Sequence, residues 1–231
     1  MKKKINFNYS NRVILKPWGE EYVIYSDKKK LAITYLKIKK NSSTSLHCHP
    51  QKKTGFLILK GTAEVQVGIY KENTKKYKPL SILVLRPGLF HKIKASKNSD
   101  LYALEVENPY IKTDLVRMQD NYGRKEKGYE PLEYSRKLNN QDILFETPKK
   151  KESKLYKLNE VKINIFYIEN FKNLKSLDNK SVSIILDGKI VSKKNKTIIT
   201  FGEIIKSLTL KKLLDYFKIK KKLLILKASL N

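Results

Sequence analysis

This chain of 231 residues contains three histidines, His47, His49 and His91, and all fall in two short stretches. The first reads STSLHCHPQKKTGFLILKG from Ser43 to Gly61, and the second reads RPGLFHKIKA from Arg86 to Ala95. Side chains on a strand alternate with period two, so a His-x-His pair puts both imidazoles on one face, a chelating arrangement. Pro87-Gly88 reverses the chain just before His91, so a neighbouring strand can carry that ring beside the pair. Neutral imidazole ligates zinc, iron, manganese or nickel, and three protein ligands with an open position are the pattern of catalytic zinc. The expected cofactor is therefore a divalent metal ion (Zn, or Fe, Mn or Ni) on His47, His49 and His91.

The elements that would hold these residues read as short strands. Residues 22–25, 31–38, 54–60, 63–70, 80–86, 90–95 and 101–107 are rich in β-branched and aromatic side chains and are separated by turn residues. Many short strands at near-regular spacing argue an antiparallel sandwich or barrel. Counting by twos places Ile93 and Ala95 with His91, and groups Ala103, Glu105 and Glu107 on one face of the last strand. Cys48, between the paired histidines, should face the other way as a small buried thiol, and Trp18 should pack on the barrel wall.

The two histidine stretches resemble the signatures of the cupin superfamily. In the first, Thr54 stands where that family has a glutamate ligand, and Gly61 follows at the expected spacing. In the second, Pro87, Gly88 and His91 match, and Ala95 replaces an asparagine. Further stretches make the chain similar to the mannose-6-phosphate isomerases that are fused to guanylyltransferases (type II, C-terminal domain). They are Lys16-Pro17-Trp18-Gly19-Glu20, Gly61-Thr62-Ala63 with Val65, Leu104-Glu105-Val106, Asp114-Leu115-Val116-Arg117 and Asp120-Asn121-Tyr122-Gly123-Arg124. The match runs over about the first 130 residues. It implies a cupin jelly-roll barrel and a metal that polarises the oxygens of a sugar phosphate while a base moves a proton between adjacent carbons. Glu105 matches the family's late glutamate and is the catalytic carboxylate it implies, ahead of Glu107 or Glu64. Lys52 stands where the family has a basic residue, and Arg86 precedes the Pro-Gly turn; either could take a phosphate or carboxylate.

The expected layout is all-β: an N-terminal arm (1–20), a metal-binding cupin domain (21–130), a linker (131–150) and a degenerate cupin-like or accessory β domain (151–231), together a bicupin. Within the last part, residues 163–167, 182–186, 197–201 and 223–226 read as strands, and 209–217 reads alternatively as a helix. A faint repeat lays Ile58–Gly61 over Ile185–Gly188, which puts Leu174, Ser176 and Ser181 where His47, His49 and Thr54 stand, so this second copy would hold no metal.

The formal charge is +28, but only five of the 50 basic residues are arginines, Arg12, Arg86, Arg117, Arg124 and Arg136. The lysines are spread through both halves with no single stripe, so the reading is no nucleic-acid partner and a field that concentrates a small anionic or sugar-phosphate substrate. One cysteine excludes an internal disulfide, and there is neither a signal-like start nor a long apolar run, so the expectation is a cytoplasmic protein with no membrane partner. Exposed sheet edges suggest a homodimer. Three activities fit this pattern: a metal-dependent sugar-phosphate isomerase or epimerase in carbohydrate or surface polysaccharide metabolism, a cupin lyase or dioxygenase on a small organic acid, and a non-catalytic sugar-binding module.

Overall fold

The computed structural model describes residues 9–27, 30–125, 127–169 and 177–230. Its first part has twelve strands: β1 (Arg12–Lys16), β2 (Gly19–Asp27), β3 (Leu31–Ile38), β4 (Leu46–Cys48), β5 (Lys53–Lys60), β6 (Ala63–Val67), β7 (Thr74–Tyr77), β8 (Ile82–Leu85), β9 (His91–Ala95), β10 (Leu101–Asn108), β11 (Val116–Gln119) and β12 (Ser135–Lys137). They form a seven-stranded sheet, β12-β1-β2-β3-β10-β5-β8, and a five-stranded sheet, β11-β4-β9-β6-β7. Between β3 and β10 the chain repeatedly crosses from one sheet to the other, leaving β3-β10-β5-β8 to face β4-β9-β6-β7. That connectivity is a jelly roll of the cupin type.

A second β unit follows: β13 (Ser153–Leu158), β14 (Val161–Ile168), β15 (Val182–Val191), β16 (Thr197–Thr200), β17 (Ile204–Lys206), helix α1 (Ser207–Tyr216) and β18 (Lys218–Leu230). Its six strands make one antiparallel sheet, β13-β14-β18-β15-β16, with β17 also paired to β15. One face carries α1, whose Leu210 and Leu214 pack on Ile168, Ile185, Leu223 and Ile225. The other face lies on the back of the barrel.

Strand alternation sorts the side chains between these layers. Leu36, Ile38, Phe56, Ile58, Val65, Ile93 and Ala103 point into the barrel with Trp18. On the opposite faces of β3, β5 and β10, Ile33, Leu57, Leu59, Leu104 and Val106, together with Ile24 of β2, share a core with Ile163, Ile165, Ile184, Leu224 and Leu226 of the second unit. Strand β3 is thus buried almost throughout and reads LAITYLKI rather than as a strict alternation. Gly55 of β5 gives this contact its closeness, because a Cβ there would lie 2.5 Å from Ile204 Cδ1. Lys53 pairs with Glu203 at 2.6 Å and Asn108 Nδ2 donates to the Phe201 carbonyl at 3.0 Å, locking the rim of the interface.

Several elements differ from the sequence reading. Residues 1–8 of the expected arm lie outside the described residues, and its remainder, 9–20, is built into the sheet: β1 pairs with both β2 and β12, and a Cβ at Gly19 would sit 1.9 Å from the Lys37 carbonyl, so glycine lets the β1–β2 turn pass β3. Residues 131–150 are laid against the barrel through β12 and through Phe145, whose N–H donates to the Ile24 carbonyl at 2.8 Å. Strand β7, TKKY, escaped notice because three of its four residues are exposed and it lacks an apolar face. The helical alternative for 209–217 is the one found. Of the repeat positions, Leu174 and Ser176 lie outside the described residues, and Ser181 is buried just before β15. Among the described residues no helix is long and apolar enough to cross a membrane.

Burying an aliphatic side chain is worth about 1.5–3 kcal/mol, so the six barrel residues facing the second unit represent on the order of 10 kcal/mol. The two units should therefore unfold together. Trp18, the only tryptophan, lies in the barrel core and reports that unit alone by fluorescence. Ile165→Ala, a cavity in the second unit, is expected to cost about 2–5 kcal/mol and to shift the Trp18 transition and the circular-dichroism transition equally. Two separate transitions would show that the units melt independently.

Candidate metal centre

The ligand strands are placed side by side by backbone pairing. His47 of β4 is directly opposite His91 of β9, and on its other side β4 pairs with β11, setting His47 across from Arg117. The Gly88 N–H donates to the His49 carbonyl at 2.8 Å, so the Pro-Gly turn before His91 is hooked onto the strand end that carries His49. The polar lead Ser43-Thr44-Ser45 is buried against β9: Thr44 N–H donates to the Ile93 carbonyl at 2.9 Å, and Ile93 N–H donates to Thr44 Oγ1 at 3.0 Å.

The three rings converge, with centroids 4.5 Å apart for His47 and His91, 5.0 Å for His47 and His49, and 5.3 Å for His49 and His91. One nitrogen from each lies within 4.8 Å of the others. Each Nδ1–H ends on a backbone carbonyl: His47 on Ser45 at 2.8 Å, His49 on Asp114 at 2.6 Å and His91 on Leu89 at 3.1 Å. Such outer bonds fix the tautomer and leave each Nε2 as a lone-pair donor. His49 Nε2 and His91 Nε2 are buried with no partner, which buried nitrogens rarely tolerate unless something outside the protein binds them.

Electrostatics agrees. Burial, then the neighbouring rings of His91 and His49, holds His47 well below the usual imidazole range. Burial and the nearby Lys52 ammonium lower His49 to about 3, and burial lowers His91 to about 4. All three are neutral at physiological pH, the state a metal requires. The buried Nε2 atoms and their fixed tautomers fit a divalent ion.

The same cavity is lined by Trp18, Phe56, Ile93, Lys16, Glu21, Lys52, Glu105, Glu107, Lys112, Arg117, Arg124 and Tyr129. The carboxylate face of β10 is as the alternation demands, with Glu105 and Glu107 facing in and Leu104 and Val106 in the core behind. Glu105 Oε1 is 3.8 Å from His49 Nε2; burial and the adjacent Glu107 push its carboxyl up to about 8. Glu107 accepts from Thr34 at 2.7 Å, Lys52 at 2.5 Å and Lys112 at 3.1 Å. Burial pushes Glu107 up, but the two ammonium groups outweigh it and hold the carboxyl well below the usual range.

Lys52 is thus inside the cavity but tied to Glu107. Arg86 is elsewhere: it is exposed, donates to the Pro87 carbonyl at 3.3 Å and is not among the lining residues, because β8 ends just before it and the turn carries it outward. Cys48 is buried and faces away from the rings. The sequence reading quoted Asp114, Arg117 and Arg124 without giving them roles. Asp114 fastens the loop after His49, accepting from the Gln51 N–H at 3.0 Å and the Lys52 N–H at 2.9 Å while its carbonyl holds His49. Arg117 and Arg124 converge on Glu130 at 3.2 Å and 2.6 Å, and Arg124 also grips Asp120 at 2.6 Å. Only the long-range pairing of β11 with β4 could have linked them to the histidines.

No family model matches the chain. It is 28% identical over 120 residues to the xanthan biosynthesis protein XanB of Xanthomonas campestris pv. campestris, in strains B100 and ATCC 33913, a match covering 49% of this chain and 24% of that protein. The chain therefore spans about a quarter of the length of the curated relatives it matches. Among solved structures it is similar to KdgF from Halomonas sp. (TM-score 0.38, 14% identity, 42% of this chain and 85% of that one). It is also similar to the capsular polysaccharide assembling protein CapF of Staphylococcus aureus (TM-score 0.41, 14% identity, 47% and 34%). A cupin-2 domain from Rhodospirillum rubrum is a third (TM-score 0.36, 17% identity, 53% and 67%).

Proposed function

We propose that this chain is a metal-dependent cupin enzyme acting on a small anionic sugar derivative, as a sugar-phosphate isomerase or epimerase in carbohydrate or surface polysaccharide metabolism. The observation that carries the reading is the convergence of three neutral imidazoles, their Nδ1 atoms pinned and two of their buried Nε2 atoms unpartnered, beside a carboxyl group in a cavity lined by lysine and arginine. The likeness to a xanthan biosynthesis protein supports a sugar context for it.

His47, His49 and His91 would hold the ion, which when bound supplies Lewis-acid polarisation of a hydroxyl or carbonyl oxygen. Glu105, the carboxyl nearest the rings, exchanges a proton with the carbon next to that oxygen. Lys52, Lys112, Arg117 and Arg124 line the cavity, each already paired with Glu107, Glu130 or Asp120, and an anionic substrate would engage them by sharing or displacing those carboxylates. Glu107 has a different task. Its oxygens are taken by Thr34, Lys52 and Lys112, so it serves as the buried counter-ion that lets two ammonium groups stay inside the barrel.

Incubation of metal-loaded protein with mannose 6-phosphate or fructose 6-phosphate in heavy water should incorporate deuterium at C2 of the aldose and at C1 of the ketose, followed by proton NMR. His49→Ala is expected to lose bound metal and exchange together; exchange by a metal-free His49→Ala protein would reject the metal-centred reading. Iron as the retained metal with no exchange would point instead to dioxygenase chemistry on an organic acid. Metal binding with sugar affinity but no turnover would leave a binding module. Separately, Glu107→Gln leaves Lys52 without its carboxylate and Lys112 with Glu21 alone, 3.6 Å away, and is expected to lower folding stability by about 3–5 kcal/mol, measured by urea unfolding.

A further inference from the structure

The resemblance carried by the first histidine stretch implies a carboxylate ligand at position 54, where this chain has a threonine. The Thr54 hydroxyl is buried without a partner on β5, directly across from Glu107 of β10. A hydroxyl offers no negative charge to offset a divalent ion. Two carboxylates enter the cavity from β10 instead, and they are not equivalent. Glu107 is committed to Thr34, Lys52 and Lys112. Glu105 makes no hydrogen bond to a described residue, and its nearest ionic neighbour is the unpartnered His49 Nε2, 3.8 Å from its Oε1.

That distance is too long for a hydrogen bond. It is close to the spacing of two donors that share one ion, since arms of about 2.0–2.2 Å at a tetrahedral angle put donors roughly 3.4 Å apart. Relative to His49 the approach needed is a few tenths of an ångström, and Glu105, which stands outside the close cluster of the three ring nitrogens, must turn its side chain toward their meeting point to join it. We propose that Glu105 Oε1 is the fourth protein ligand of the centre, so that the carboxylate missing from β5 is supplied by the neighbouring strand β10. The inference rests on the metal reading above and adds a ligand to it. Oε2 remains available for the proton-exchange role.

The test is a metal titration rather than an activity assay. Chelator-stripped protein is titrated with cobalt(II), with affinity read by competition against a chromophoric chelator and coordination by the visible d–d absorption. The isosteric Glu105→Gln should weaken cobalt binding on the order of tenfold or more and change the absorption spectrum, with circular dichroism unchanged. In the double variant Thr54→Glu, Glu105→Gln, a folded protein that regains cobalt affinity would support the relocation directly. Glu105→Gln protein that binds cobalt within twofold of the unsubstituted chain, with the same spectrum, overturns this inference and leaves the three-histidine centre standing. Unsubstituted protein that binds no cobalt overturns the centre itself.

Discussion

The structure depends on where three imidazole protons go. Each Nδ1–H is taken by a backbone carbonyl, so the ring that results is neutral, oriented, and presents its other nitrogen to the same small volume. Side-chain partners could titrate or rotate; carbonyls of residues 45, 89 and 114 cannot, because the strands and loops that hold them are fixed by pairing and burial. The cavity accordingly has two electrostatic zones. Around the rings, burial removes positive charge, while a little further along β10 and β3 buried lysines and glutamates neutralise one another.

That second zone needs a rigid frame, since opposite charges in a low-dielectric interior repay their desolvation only when the geometry is held. The frame is the seven-stranded sheet, which is stiffened from behind. Its outward side chains are covered by the second β unit, and its rim is tied to residues 201–204 by Lys53 and Asn108, the strand neighbours of Thr54 and Glu107. The second unit lends the first a dry back wall. Its own far face is occupied by α1.

How much of this could be read from the chain alone follows from the range of the interactions involved. His47, His49, the face shared by Glu105 and Glu107 and the direction of Cys48 follow from local alternation, and the wall position of Trp18 from the tendency of large aromatics to serve cores, so these were legible. His91 needed one turn signal, Pro87-Gly88, to be placed. Arg86 was misplaced by the same local logic, because proximity in sequence to that turn says nothing of which way a residue at a strand end points. Asp114, Arg117, Arg124 and Glu130 were out of reach, since their roles arise from β11 lying beside β4 and from contacts with β1. Strand β7 and the pairing of β1 with β12 were hidden for different reasons: exposed, lysine-rich β7 carries no hydrophobic period to detect, and β12, three polar residues long, shows no period and pairs with β1 over more than 100 residues of sequence.

The link from the Gly88 N–H to the His49 carbonyl is made by main-chain atoms only. Among substitutions at position 88 only proline, which has no N–H, removes the donor itself, so the spacing of the two ring-bearing segments is insulated from most changes in the residues around them. A scaffold built in this way can change the residues around its rings without losing their meeting point. Its reactivity can be retuned while its shape stays put.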